Sequence, residues 1–160
     1  PYRGVIYAGL MIRGDRIDVL EINCRFGDPE TQPVLMRLGE DLVPLMEASA
    51  KGTLEDRPLA TDDPSTMCIV MEAGGYPGSY GKGFAIEGME AANALDDVEV
   101  FHAGTALDDA GNVVTSGGRV LGVTARGETI AAAQKRAYEA VAKIHWDDVH
   151  FRKDIGYRAL

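Results

Sequence analysis

Apolar residues cluster with β-strand character near the beginning of the chain. Residues 3–12 and 16–24 are two such runs, rich in β-branched and other apolar side chains, and Arg13-Gly14-Asp15 joins them. A short glycine-containing connection between two such runs predicts an antiparallel hairpin. A strand this close to residue 1, which is Pro1 rather than Met, also indicates that the chain is a piece of a longer polypeptide.

The second run ends in polar side chains that packing alone does not explain. Side chains on a strand point alternately to its two faces, so one face is expected to carry Ile17, Val19, Glu21, Asn23 and Arg25. A carboxylate and an amide oxygen two residues apart can both reach one hard cation, and Mg²⁺ prefers such oxygen ligands. Glu21 and Asn23 are therefore candidate metal ligands. The alternative is a satisfied polar pair that closes the strand.

A helical pattern covers residues 32–51 and is followed by a polar segment. Pro33 suits a first helical turn, Gly39 is expected to divide the segment into two helices, and Gly52 is a natural C-terminal stop. Residues 53–65 are polar and contain two prolines, which predicts a linker.

The second half of the chain is patterned mainly as strands and ends in a helix. Apolar runs predict strands at 67–71, 98–104 and 119–124, and a hairpin turn at 108–111. Residues 129–144 carry one apolar stripe at helical spacing, with Thr129 as the N-cap.

These patterns predict an α+β protein in three parts. Residues 1–52 would form an antiparallel sheet with helices, and residues 53–65 would be the linker. Residues 66–160 would form a small β-rich domain with a final helix.

Composition and charge narrow the possible functions. The net charge of −9 argues against non-specific binding to nucleic acid or to anionic membranes. The sequence has no apolar run long enough to span a bilayer and no signal-peptide pattern. Two cysteines, Cys24 and Cys68, provide no disulfide framework or zinc site, so reduced thiols in the cytoplasm are expected.

The loop after the second strand adds charged residues beside the two candidate ligands. Arg25 could hold a carboxylate or a phosphate through two parallel hydrogen bonds. Asp28 and Glu30 could bind a substrate amine or position Arg25. Their alternative role is capping of the helix that follows, because carboxylates favour a helix N-terminus. Arg119, which follows two glycines, could contact either a ligand or a carboxylate of the first half.

Segments spread over the whole chain carry a resemblance to a known family. They are GVIYAGLM at 4–11, EINCRFGDPETQP at 21–33, AGGYPG at 73–78, FHAGT at 101–105, TSGGRVL at 115–121 and DIGYRA at 154–159. In this order they resemble the phosphoribosylamine–glycine ligases (glycinamide ribonucleotide synthetases) of purine biosynthesis.

The resemblance implies an ATP-grasp enzyme that joins glycine to 5-phosphoribosylamine through glycyl phosphate, at the expense of ATP. It implies that Glu21 and Asn23 bind Mg²⁺ or Mn²⁺ at the ATP phosphates and that Arg25 is catalytic. Arg25, Asp28 and Glu30 would adjoin the substrates. Residues 1–52 would then be the end of the ATP-grasp antiparallel sheet, and residues 66–160 the C-terminal domain of the ligase.

Enzymes of this family are longer than this chain, which resembles their C-terminal portion. The expected partners are therefore the missing N-terminal part of the same enzyme and the small molecules glycine, 5-phosphoribosylamine and ATP. The isolated chain is expected to be inactive. Two alternatives stay open: another ATP-grasp carboxylate–amine ligase, and a non-catalytic binding module that reuses the fold.

Overall fold

The structure, a computed structural model, describes residues 1–160 and contains three antiparallel sheets. The strands are β1 (Tyr7–Arg13), β2 (Arg16–Asn23), β3 (Ser65–Ala73), β4 (Val98–His102), β5 (Thr105–Leu107), β6 (Val113–Thr115), β7 (Arg119–Gly127) and β8 (Val149–His150). The helices are α1 (Thr31–Met36), α2 (Leu42–Lys51), α3 (Met89–Asn93) and α4 (Ile130–Val141), with a short 3₁₀ turn at Tyr157–Ala159. The α+β class is as predicted, and none of the helices has the length and apolarity needed to cross a membrane.

β1 and β2 form the predicted hairpin around the two-residue turn Gly14-Asp15. Gly14 has a φ of 59°, a backbone conformation that glycine adopts without steric cost. β1 begins at Tyr7 rather than at residue 3, because β2 ends at Asn23, directly opposite Tyr7. Residues 3–6 therefore have no ladder partner.

A β-bulge in β2 overturns the prediction that Ile17, Val19, Glu21, Asn23 and Arg25 share one face. Leu10 pairs with Val19, but Gly9 pairs with Glu21, so β2 contains one extra residue at this point. Directly paired residues share a face, whereas neighbours within a strand alternate. Glu21 therefore lies on the opposite face from Val19.

The two faces of the hairpin differ in chemistry. One face, the polar face, carries Tyr7, Gly9, Glu21 and Asn23. The other face is apolar and uncovered, with side chains that are 46–64% exposed: Leu10, Ile12, Ile17, Val19 and Ile22. Contiguous exposed apolar surface of this kind is typical of an interaction site.

The predicted division of residues 32–51 into two helices is confirmed, with Gly39 between α1 and α2. Gly52 ends α2 with a φ of 72°. The segment predicted as a linker is irregular but anchored to this region: the Glu40 carboxylate accepts hydrogen bonds from Arg57 at 2.6 and 2.9 Å and from the Ala60 amide at 2.7 Å. These hydrogen bonds, that from Arg57 above all, lower the pKa of Glu40 to about 2.

The hydrophobic core lies entirely within residues 66–160. The main sheet has the strand order β4-β7-β3-β8, and α4 packs against β3 and β7. Its largest fully buried apolar side chains are Ile69, Met71, Val120, Leu121, Val123, Val141 and Trp146. Among residues 1–65 only Gly27 is buried.

α4 confirms the predicted final helix in a shorter form. Thr129 is its N-cap and accepts a hydrogen bond from the Ala132 amide at 3.1 Å. Ala133, Ala137 and Val141 of the predicted stripe are buried. The short elements α3 and β8 were not predicted, because two to five residues give too little periodicity.

Candidate functional site

The polar face of the hairpin presents a carboxylate and an amide that have no partner in the protein. Glu21 and Asn23 make no side-chain hydrogen bond or ion pair, unlike the charged residues around them. The Glu21 side chain lies over Gly9, where an added Cβ would be 3.0 Å from the Glu21 Cγ. Gly9 thus leaves room for this carboxylate, and the structure does not contain the satisfied polar pair that was the alternative.

Glu30 connects the loop after β2 to the polar face. Its Oε1 accepts a hydrogen bond from the Tyr7 hydroxyl at 3.0 Å. This hydrogen bond raises the pKa of Tyr7, with smaller increases from desolvation and from the charges of Glu30 and Glu21 and an opposing decrease from Arg25. Glu30 is the N-cap residue of α1, as the capping alternative predicted, but its side chain makes no hydrogen bond to the first turn of the helix.

Asp28 is held by the second half of the chain. The Arg119 Nη1 donates to the Asp28 carbonyl oxygen at 3.0 Å and lies 3.2 Å from the Asp28 Oδ2. The open question about Arg119 is therefore answered in this structure: it meets a carboxylate of the first half.

Arg25 keeps its guanidinium accessible. Its Nη1 donates to the Phe26 carbonyl oxygen at 2.6 Å, and no carboxylate forms an ion pair with it. Its charge is close enough to the polar face to lower the pKa of Tyr7. Arg25 is thus a cation near Tyr7 that forms no ion pair and could bind an anion.

The donor set on the polar face fits a divalent cation that takes most of its ligands from elsewhere. The protein offers one carboxylate and one amide oxygen, and no group of three or more His, Cys, Asp or Glu side chains could hold a metal ion. Mg²⁺ is commonly bound in this way, through one or two carboxylates plus phosphate oxygens and water. Glu21 and Asn23 therefore suit a metal that arrives with a phosphate ligand.

Tyr7 was absent from the predicted site residues, and the bulge explains why. A regular ladder continued from the Gly14-Asp15 turn would place Asn23 opposite Ile6. The extra residue in β2 instead places Asn23 opposite Tyr7. The sequence does show a tyrosine in the facing strand. To place its side chain beside Asn23, however, one must know the pairing of β1 with β2 after the bulge.

Two family models match the chain in its two halves. The one described as "Phosphoribosylglycinamide synthetase, C domain" matches residues 66–158. The one described as "Phosphoribosylglycinamide synthetase, ATP-grasp (A) domain" matches residues 1–31, which include β1, β2 and the loop.

Curated relatives and a solved structure agree with these matches. The chain is 56% identical to the phosphoribosylamine–glycine ligase of Pseudomonas aeruginosa and 52% identical to that of Escherichia coli O157:H7, in each case over 99% of this chain and 37% of the relative. The crystal structure of the ligase from Thermotoga maritima superposes with a TM-score of 0.78 at 33% identity, over 93% of this chain and 36% of that one.

The resemblance predicted from the sequence is therefore confirmed, and the chain spans about 37% of the length of the curated relatives it matches. The chain belongs to the phosphoribosylglycinamide synthetase family, and most of its length is the C domain of that family.

Proposed function

We propose that this chain is the C-terminal part of an ATP-dependent ligase that joins glycine to 5-phosphoribosylamine, giving glycinamide ribonucleotide for purine biosynthesis. The observation that carries the proposal is the unpartnered pair Glu21 and Asn23, which lies in the stretch that matches an ATP-grasp domain. The curated relatives are named for the same two substrates, phosphoribosylamine and glycine.

In this proposal Glu21 and Asn23 would hold Mg²⁺ or Mn²⁺ for the phosphates of ATP. The bound cation would neutralise phosphate charge. The glycine carboxylate attacks the γ-phosphorus and ADP leaves; the ribosylamine nitrogen then attacks the carbonyl carbon of glycyl phosphate, loses a proton, and phosphate leaves. Such a reaction needs positioned substrates and neutralised charge rather than a protein nucleophile. Arg25 supplies a free guanidinium for the charge that develops on the transferred phosphoryl group.

Asp28 and Glu30 would shape the substrate side of the site. One oxygen of each carboxylate is engaged, by Arg119 and by Tyr7 respectively. The second oxygen of each remains available to accept a hydrogen bond from a substrate amine. We therefore assign these two residues to substrate binding and Arg25 to both binding and catalysis.

The remaining part of the ligase would cover the apolar face of the hairpin. The exposed side chains of that face lie within residues 1–31, which match the ATP-grasp domain model. These residues are a small part of such a domain, so we expect the rest of the domain to pack against this face. We propose three parts for this chain: the end of the ATP-grasp domain at 1–52, the connecting segment at 53–65 and the C-terminal domain at 66–160. Two free cysteines fit a cytoplasmic enzyme.

The test is ADP formation by the full-length protein that contains this chain. ADP release over many turnovers is expected only when glycine, 5-phosphoribosylamine and a divalent cation are all present. The 160-residue chain alone, as the matched control, is expected to give none. Turnover with a different carboxylate and amine would favour another ATP-grasp ligase, and no ATP hydrolysis with any substrate would favour a binding module.

A further inference from the structure

One arginine of the C-terminal half reaches into the loop that follows β2. Arg119 is the first residue of β7, and its Nη1 is the partner of both the carbonyl oxygen and the carboxylate of Asp28, at 3.0 and 3.2 Å. The two residues are 91 positions apart in the chain. This contact joins a strand of the C domain to the loop that also carries Arg25 and Glu30.

The backbone at Arg119 is itself held in place. The Arg119 carbonyl oxygen accepts a hydrogen bond from the Gly104 amide at 2.8 Å, and the Gly118 carbonyl oxygen accepts one from the Ala73 amide at 2.8 Å. Burial lowers the pKa of Arg119, but the Asp28 carboxylate and the Tyr76 hydroxyl raise it, and the net pKa is above the ordinary value. Arg119 therefore extends from a hydrogen-bonded stretch of backbone and keeps its positive charge beside Asp28.

The loop has a second anchor within the first half of the chain. Glu30 binds Tyr7 at 3.0 Å, and the Gly27 carbonyl oxygen accepts a hydrogen bond from the Thr31 amide at 3.1 Å. Asp28 lies between Gly27 and Glu30 in the chain. Its carbonyl oxygen and its carboxylate both contact Arg119. Without Arg119, the Asp28 side chain would lose its partner in the C-terminal half of the chain.

We propose that Arg119 is a positioning residue for the substrate loop 25–30, and that through it the C domain sets the geometry of the substrate side of the site. Arg119 would act through Asp28 and would not itself touch the substrates. This inference rests on the proposed function. A guanidinium suits the role, because it is always charged and its Nη1 is within reach of both the carbonyl oxygen and the carboxylate of Asp28.

The test uses Arg119→Gln and Arg119→Lys in the full-length ligase. Arg126→Gln is the matched control, because Arg126 also joins the two halves, through Asp62 at 3.4 Å, near the other end of β7. For Arg119→Gln, kcat/KM for glycine and for 5-phosphoribosylamine is expected to fall about 10- to 100-fold, the size of effect that a displaced positioning group produces. The KM for ATP is expected to change little, since Glu21 and Asn23 lie on β2. Arg119→Lys should recover part of the loss, because lysine restores the positive charge but not the planar shape of the guanidinium.

Hydrogen exchange of the amides at 25–31 gives a readout that does not depend on turnover. Faster exchange there in Arg119→Gln, with the rates of Arg126→Gln unchanged, supports the proposal. Wild-type kinetics and exchange in Arg119→Gln would overturn it, as would an equal loss in Arg126→Gln. If the wild-type enzyme itself does not consume glycine and 5-phosphoribosylamine, the proposed function fails, and the exchange rates alone decide whether Arg119 orders the loop.

Discussion

The polar side chains near the end of β2 differ in what they contact, and their contacts separate their roles. Glu21 and Asn23 have no partner, whereas Asp28 is held by Arg119 and Glu30 by Tyr7. A carboxylate with no partner suits a metal site, whereas one with a single engaged oxygen is held in place and keeps its other oxygen for a substrate. The sequence predicts which residue types stand here. It does not predict their partners, which depend on the bulge and on a strand 91 positions away.

The fit of Tyr76 against Gly118 makes a first prediction at the residue scale. A Cβ at Gly118 would overlap the Tyr76 ring, whereas at Gly122, in β7, the nearest atom would be the Cys68 sulfur at 3.4 Å. Gly118→Ala is therefore expected to lower the free energy of unfolding by about 1–3 kcal/mol through overpacking, and Gly122→Ala by less. Urea unfolding of both variants measures the difference; equal losses would contradict the steric argument.

At the scale of elements, the sequence predicts those whose patterns are long and local. The hairpin, the break at Gly39 and the helix α4 all follow from turn, cap and periodicity signals. The bulge in β2 is different, because an extra residue leaves the local composition unchanged while it moves every later side chain to the other face. The anchoring of 53–65 was also beyond prediction, since it depends on the contact of Glu40 with Arg57.

The N-cap of α4 leads to a second prediction. Thr129→Ala removes the hydrogen bond to the Ala132 amide and is expected to cost about 1 kcal/mol of unfolding free energy. Thr61→Ala, at an exposed position in the irregular segment, is the control and should cost less. Thermal unfolding of the two variants is the measurement, and an unchanged midpoint for Thr129→Ala would count against the cap.

The contact between Glu40 and Arg57 leads to a third prediction, on pH. The folded pKa of Glu40 is about 2 and its ordinary value is 4.5, so the unfolded state takes up the proton first as the pH falls. The stabilisation from this pair is therefore complete above pH 4.5 and is lost as the pH falls through about 2. The carboxyl carbon resonance of Glu40 should titrate near pH 2. In Arg57→Gln it should titrate at a higher pH that is still below the ordinary value, because the hydrogen bond from the Ala60 amide remains. The same midpoint in both proteins would refute the assignment.

At the scale of the whole molecule, the two halves differ in how much they bury. The buried apolar core runs from Met67 to Trp146, while the hairpin leaves an apolar face open to solvent. Core burial protects backbone amides from exchange, because opening must then expose apolar surface. In this chain alone, the amides of β3, β7 and α4 are expected to exchange at least about 100-fold more slowly than those of β1 and β2. Equal exchange rates in the two sets of amides would contradict this difference between the two halves.

The central claim is that Glu21 and Asn23 bind the divalent cation of an ATP-dependent ligase. The most direct test is the Kd of Mn²⁺ for the full-length ligase with ATP, measured by electron paramagnetic resonance. Glu21→Gln should raise this Kd by at least about 10-fold. Mutation of a residue that only orients a metal ligand already costs about that much, and Glu21 is proposed to be a ligand itself. Asp18→Asn is the control, because Asp18 belongs to the same strand and is already paired with Arg16 at 2.9 Å. A wild-type Kd for Glu21→Gln would contradict the account.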